Sequence, residues 1–583
     1  MATAVPERSL PIAAEQREFS VLVEGQPVPR EHQLLSASVT ASANHLATAR
    51  LVYADGSAAA GDFPLAAGDL FVPGSRVEVR AGSGSAQTTI FSGIVLRIRV
   101  RVREQAAPQL IVDCRHAAGR LASRPRSANH FDVTDSEWIE QRLADAGLDA
   151  EVQATAVRHA QLVQHAVSDW DFLVARAQAN GLVVLTRGAQ IALRRPALQG
   201  EPLAQLRFGA TLLDFDAETD ARGQAQAVHA LSWSATDQDL QEVESADPEV
   251  TAPGNLEGSE LAAAAGVERL DLQHPGWTRD EAQALADAWA LRARLNQVCG
   301  RAKCIGLPQL QPGDVAELAG VGARFNGRIW VSGVRHELDT VQGFRTHLQF
   351  GSLDADEALL QRLAQPRSPA LVAQVAGLQC GVVTDLEDPT GEARVRVRLP
   401  LVDAEDDGLW ARVATLDAGD GRGFQFRPEL GDEVLLGFLG NDPRHPVILG
   451  MLHSSAKAPP LPLANDNPQK GYVSRSGMKL HFDDDKSILT LSTPSGHSLQ
   501  LDDEAGALTL QDAHGNRIVL DSGGITLDSA GALQLNAGTE AHVEAQTSLS
   551  VKATLDLTLE GSASAELKGG TLAKVNAALV QIN

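Results

Sequence analysis

Apolar and polar positions alternate with a period of two along much of the chain. Residues 19–23, 76–80 and 90–102 place apolar side chains near every second position, the spacing of strands with one buried face. A β domain is expected over about 18–120. Three stretches change to a helical period. Thr134 with Glu137 forms a capping box that opens a helix ending at Gly147. Ser168 with Asp171 opens a second, bearing Trp170, Phe172 and Leu173 and closing at Asn180-Gly181. Thr278 with Glu281 starts a third, which sets Ala282, Leu285 and Trp289 on one face.

Composition shifts at residues 360–369, and short alternating runs at 395–399, 410–413, 434–438 and 447–449 follow, joined by Gly, Asp and Pro turns. This pattern predicts a compact antiparallel barrel of the oligonucleotide/oligosaccharide-binding (OB) type over 371–453. Pro- and Asn-rich residues 454–471 read as a linker.

From Ile525 onward apolar or small residues recur every eight positions in two tracks. One is Leu527, Leu535, Val543, Val551, Leu559, Leu567 and Val575; the other is Ile525, Leu533, Ala541, Leu549, Leu557, Ala565 and Ala573. The two-residue offset is that of a strand, and glycines such as Gly531, Gly538 and Gly561 fall where a chain turning corners needs them. Residues 472–583 therefore read as a β-solenoid or β-helix. Two aliphatic side chains per octad bury too little area to offset the ordering of eight backbones. An isolated octad strand would also leave its backbone groups unpaired. Three chains winding together remove both difficulties, each supplying one wall of a triangular rod; a single chain closing over three octads is the alternative.

A turn-strand-strand unit appears twice. Pro73-Gly74 leads to Val77-Glu78-Val79 and Phe91 to Val95, while Pro312-Gly313 leads to Ala316-Glu317-Leu318 and Phe325 to Ile329. A second barrel module is expected at about 255–352, with an α/β insert at about 121–254 between the two.

Charge and cysteine content narrow the partners. The 583 residues carry 50 Lys plus Arg against 74 Asp plus Glu, a formal charge of -24, and so acidic a surface repels nucleic acid and anionic lipid. Cys114, Cys299, Cys304 and Cys380 are too scattered for a disulfide framework. Residues 1–14 lack the basic start and apolar run of a signal peptide, so synthesis and assembly in the cytoplasm are expected.

Ordered matches then carry a resemblance. Gly381-Val382-Val383, Asp388-Pro389, Gly391, Val395-Arg396-Val397, Trp410-Ala411-Arg412-Val413, Gly431-Asp432-Glu433-Val434 and the run Asn441-Asp442-Pro443-Arg444-His445-Pro446 through Gly450 resemble the VgrG-type spike of contractile injection machines. That family is related to the hub and needle of contractile phage tails. The rod entry is similar at Ser474 to Gly477, Phe482-Asp483-Asp484 and Asp512 to Leu520, and the hub at Ser168 to Leu173 and Gly313 through His336. The resemblance implies a mainly β, multidomain homotrimer: a phage-hub-like region over 1–370 with two barrel modules per chain, an OB collar and an intertwined needle. It further implies a hub that adapts a six-fold inner tube (Hcp-like) or its initiator to a three-fold needle, set among baseplate components. Such a spike punctures the target envelope, touches its membrane only on firing and delivers effector cargo as part of a released or secreted particle. Asp388, Pro389, Trp410, Gly431, Asp432, Asp442, Pro443, Pro446 and Gly450 are its structural OB signature. The apolar end, Leu579, Val580, Ile582 and Asn583, is expected to seat a PAAR-type tip protein.

Catalytic chemistry is not expected. The acidic runs Asp483-Asp484-Asp485 and Asp502-Asp503-Glu504 read as turn charges, Cys299 and Cys304 as helix-flank cysteines, and His542 as an outward or corner residue. No Walker A, His-Glu-x-x-His or Gly-x-Ser-x-Gly sequence occurs, and no cofactor or metal is expected. A tailspike-like trimer that binds or degrades surface polysaccharide is the rival reading, which exposed aromatics and a carboxylate-lined groove would favour.

Overall fold

A computed structural model describes residues 18–582 except 84–85, 235–238, 275, 352–374 and 376. The expected composition break at 360–369 and the leader reading of 1–14 lie outside the described residues. The chain divides into two units, Met1–His453 and Ser454–Asn583.

In the first unit the alternating segments join one 13-stranded sheet. Its path runs Leu212–Thr219, Val298–Ile305, Gly343–Phe350, Gly327–Asp339, Leu34–Ser42, Thr48–Ala54, Ala106–Arg115, Ala86–Arg103, Arg76–Ser83, Glu18–Val23, Gln26–Pro27. The two modules read from the sequence meet edge to edge here, where Gly333 to Asp339 pair antiparallel with Ser42 to Ser36. Pairing the two edges satisfies backbone groups that each module alone would leave open. Side chains from both halves, Val39, Leu51, Val79 and Phe91 with Val331, Leu348 and Phe350, share one core. The second half also takes in Ala204–Arg207 and Leu212–Thr219, ahead of the expected boundary at 254. Cys299 and Cys304 sit on strand Val298–Ile305 rather than on a helix flank, and all four cysteines are free.

The internal repeat is visible in its hydrogen bonds. Gly74 N–H donates to the Val95 carbonyl at 2.8 Å and Val95 N–H to the Ser75 carbonyl at 2.9 Å; Gly313 donates to Val331 at 2.7 Å and Val331 to Asp314 at 2.9 Å. Both glycines hold a positive φ, 103° and 89°, which a side chain would strain. Val95 thus corresponds to Val331, not to Ile329 as the sequence match implies. A two-residue shift leaves every side chain on its own face.

The three expected helices form, two in the insert and the third, Arg279–Leu295, inside the bounds expected for the second barrel module. Asp135–Asp145 and Arg279–Leu295 each begin in a reciprocal capping box, Thr134 with Glu137 and Thr278 with Glu281, and Ser168 caps Asp169–Ala179. Behind them Gln379–Asp385, Val395–Arg398, Leu409–Val413, Pro446–Met451 and Glu433–Phe438 close a barrel in that order. Val395, Val397, Leu409, Ala411, Val434, Leu436 and Ile448 fill it with no exposed surface.

The second unit holds a seven-stranded antiparallel meander from Gln469–Val473 to Gly524–Asp528. Its first strand takes up the last three residues of the expected linker, because Gln469 to Val473 pair in full with Asp483 to Lys479. From 529 to 582 no strand pairs within the chain among the described residues.

Candidate functional site

Register in the meander lines up its apolar side chains. Tyr472, Leu480, Leu491, Leu499, Leu510, Ile518 and Leu527 are successive cross-strand neighbours. Phe482, Leu489, Leu501, Leu508, Leu520 and Ile525 form a second row two residues away, on the same face. The other face carries His481, Thr490, Gln500, Thr509, Val519 and Thr526. The two rows end on Leu527 and Ile525, where the octad tracks begin. They escape a search for a fixed repeat because the upstream spacing is uneven, while their alternation within each strand was there to find.

Within one chain this face is open. Leu491 and Leu510 are 44% and 47% exposed, and the octad positions Leu535 and Leu559 reach 80% and 83%. Ile525, Leu527, Leu533, Val543, Leu549, Val551, Leu557, Leu567 and Val575 are exposed as well. Leu491, Leu499, Leu510, Ile518, Leu527 and Leu533 line a groove of about 830 Å³ along the first row. Leu579, Val580 and Ile582 are exposed, and Asn583 lies outside the described residues. The two acidic runs begin on the last residues of Lys479–Asp483 and Ser498–Asp502 and continue into the turns that follow, and His542 is exposed.

A second constellation is buried and charged. Arg444, on the turn that enters barrel strand Pro446–Met451, pairs with Asp442 at 2.8 Å and with Glu281. Glu281 belongs to the capping box of Arg279–Leu295 and also reaches His159 Nδ1 at 3.2 Å. His159 Nε2 lies 3.1 Å from Asp135, whose carboxylate takes Arg176 Nε at 2.6 Å and Nη2 at 2.9 Å. Three helices, the strand Arg158–Ser168 and the barrel are thus tied by one chain of charges. Burial raises each carboxyl's pKa, but the cations outweigh it. Arg176 and His159 hold Asp135 well below the carboxylate range, Arg444 and His159 do the same for Glu281, and Arg444 with His445 brings Asp442 down to about 2. Burial pulls His159 down, yet hydrogen bonds to Asp135 and Glu281 leave it raised. Asp442 and Arg444 were visible in the resemblance; Asp135, His159, Arg176 and Glu281 lie too far off in sequence for any spacing to connect them.

His274, Asp442 and His445 bring three potential metal-ligand atoms within 4.8 Å of one another. The tautomer argues against a metal. Gly276 N–H donates to His274 Nδ1 at 3.1 Å, so the neutral ring carries its proton on Nε2, 3.6 Å from Asp442. Burial lowers His274 to about 4 and keeps it neutral. The Arg444 guanidinium, on the same carboxylate, occupies the place of a cation.

The remaining signature residues shape the barrel. Asp388 accepts from Thr390 N–H at 3.1 Å and from Arg394 Nε at 3.0 Å, fixing the loop that carries Pro389. Arg394 and Arg396 lie over the Trp410 ring at 5.7 and 5.9 Å. Gly431 turns at φ 79°, next to Asp432, which accepts from Glu429 N–H at 2.9 Å. Pro443 follows Asp442 in the turn, and Pro446 and Gly450 pair with Phe438 and Leu435.

Family models match three stretches of the chain. Residues 13–340 match the Alg8 N-terminal domain, 379–453 the type VI secretion system/phage-baseplate injector OB domain, and 488–572 the phage baseplate V C-terminal trimerisation domain. The chain belongs to the Alg8 N-terminal domain family and is a VgrG-type spike protein. Curated relatives are the Pseudomonas aeruginosa type VI secretion system spike proteins VgrG1b, 29% identical over 32% of this chain, and VgrG1a, 31% identical over 22%. These matches span 26% and 21% of the relatives' own lengths. A solved Francisella PdpA-VgrG complex, half-lidded, aligns with TM-score 0.52 at 8% identity over 88% of both chains, and its lidded form with TM-score 0.51 over 88% of this chain and 80% of that one. At that identity the likeness speaks for the fold. The spike is mainly β, with a closed OB barrel, as the resemblance implies.

Proposed function

We propose that this spike works as a homotrimer in which the C-terminal units of three chains cover one another's open apolar rows. One observation carries the reading. Two rows of mainly aliphatic side chains lie half-buried or exposed along a C-terminal unit whose last part, 529–582, has no strand partner among the described residues. The inward set is Ile525, Leu527, Leu533, Leu535, Val543, Leu549, Val551, Leu557, Leu559, Leu567 and Val575. Sister chains supply both the apolar cover and the backbone partners, so chains slide only if many interstrand bonds break together.

Rigidity is then the activity, and the spike needs no catalytic residue. Sheath force passes through the inner tube and hub into a needle that punctures the envelope and carries effectors. The repeated turn-strand-strand unit, two copies in each of three chains, provides six similar elements to meet a six-fold tube. Leu579, Val580 and Ile582 receive a separate tip protein. Assembly takes place in the cytoplasm, before the particle is fired or released.

The test is a mass measurement on the full-length chain and on a form lacking residues 472–583. A trimer that falls to single chains on truncation is the expected result, and a single-chain mass at full length refutes the reading.

A further inference from the structure

Arginines gather on one hairpin of a chain whose net charge is -24. Strand Ala86–Arg103 pairs with Arg76–Ser83 only as far as Ile94, and beyond Val95 it has Ala106–Arg115 on one side alone. Among the described residues, 96–103 therefore offers an open backbone edge. On the outer face Arg97 and Arg50 flank Asp113, at 2.6 and 2.7 Å, and Arg99 and Arg101 follow. Arg103 stands at the hairpin end. Arg99, Arg101 and Arg103 have no ion pair among the described residues. Slight desolvation and the charges of Arg103, Arg99 and Arg50 pull the Arg101 guanidinium below its ordinary value. Val100 and Val102, on the core side, are exposed where the hairpin runs past the core.

An open edge of opposite charge ends the same sheet. Among the described residues, strand Leu212–Thr219 has Val298–Ile305 as its one strand partner, with a single bridge from Leu212 to Phe208 at its start. Asp214, Asp216 and Glu218 alternate along it, all exposed, while Phe215 faces the core against Phe350. Lys303, 3.9 Å from Asp214, is the one cation in ion-pair range of this row among the described residues.

Both rows repeat every second residue, about 6.8 Å along a strand, so their charges can meet in step. Three-fold symmetry makes every interface heterologous, which requires two unlike, complementary patches on each chain. We propose that the hub contact between copies of this chain seats the arginine edge 96–103 of one chain against the acidic edge strand Leu212–Thr219 of the next. This inference rests on the homotrimer proposed above. Each chain offers both edges, so the contacts close on themselves after three copies.

Cysteine pairs test it in the full-length chain, with the exposed Cys380 changed to Ser. Arg99→Cys or Arg101→Cys is combined in turn with Asp214→Cys, Asp216→Cys or Glu218→Cys. Mild oxidation is expected to give two-chain and three-chain covalent species from at least one pair and none from the single variants. A trimeric mass with no cross-linked species from any pair overturns the contact while the three-fold rod stands, and would fit an acidic tube ring on the arginine edge. A single-chain mass overturns both. Charge reversal provides a second readout. Arg99→Glu with Arg101→Glu is expected to lower the hub's unfolding temperature, and added Asp214→Arg with Asp216→Arg to restore it; an unmoved transition in the reversed chain counts against the contact.

Discussion

The OB barrel and the C-terminal rod are written in the same alternating code, yet only the barrel completes its core within one chain. Val397, Leu436 and Ile448 have no exposed surface, whereas Leu535 and Leu559 on the rod are about four-fifths exposed. Composition does not separate them, since both regions alternate aliphatic and polar residues. Connectivity does. In the barrel Leu409–Val413 runs parallel to Pro446–Met451, a pairing that needs a long return and curls the sheet onto its own apolar face. In the rod every strand turns straight back on its neighbour, and an open meander has nothing of its own to lay against that face. Alternation specifies a strand and a buried side. Whether the same chain covers that side depends on how the strands are joined.

The sharpest way to break this contrast is a charge in the rod. In the proposed homotrimer Leu559→Asp places three carboxylates at one level of a shared interior, where burial opposes ionisation and like charges repel. Loss of the trimer in light scattering is the expected outcome. A variant that stays trimeric with unchanged thermal stability would show that Leu559 faces out.

Cavity variants sharpen it further. In the barrel Leu436→Ala is expected to cost about 2–5 kcal/mol, with an unfolding midpoint independent of protein concentration. Leu535→Ala should destabilise the rod with a midpoint that moves with concentration, because in the proposed homotrimer its core forms only between chains. The same concentration dependence in both variants would remove the distinction.

The charge chain that ties the barrel to the insert comes next. Arg444→Met strands two buried carboxylates and is expected to cost roughly 3–5 kcal/mol in the hub. Asp442, at about 2 against an ordinary 3.8, contributes stability that is complete above about pH 4 and lost as pH falls through about 2. His159 is raised above 6.5, so its contribution is complete below that value and lost as pH climbs through the folded value. Thermal scans should show the wild-type hub weakening from pH 4 towards pH 2, and a shallower fall in Arg444→Met. Parallel curves would place the acid sensitivity elsewhere.

Much of this was legible in the sequence because the signals were local. The capping residues Thr134, Ser168 and Thr278 open helices where their spacing indicated, and the barrel strands fall within a residue or two of the alternating runs. What the sequence hid was non-local. The joining of Gly333 to Asp339 with Ser42 to Ser36 depends on two edges distant in the chain. The tie from Asp135 to Asp442 depends on folded proximity alone. The upstream rod rows were obscured by turns of unequal length, although register makes them continuous with the octads.

The smallest expected effect separates a cap from the tie it supports. Thr278 Oγ1 accepts the Glu281 N–H at 3.3 Å, while the Glu281 carboxylate accepts the Thr278 N–H at 2.9 Å. Thr278→Ala removes the first bond and keeps the second, so it is expected to cost about 1 kcal/mol. Glu281 remains held for Arg444 and His159. The variant's unfolding temperature should therefore lie below wild type by a constant offset from pH 7 down to pH 2. A changed slope would mean that the hydroxyl, and not the backbone N–H, positions the carboxylate on which the charge chain turns.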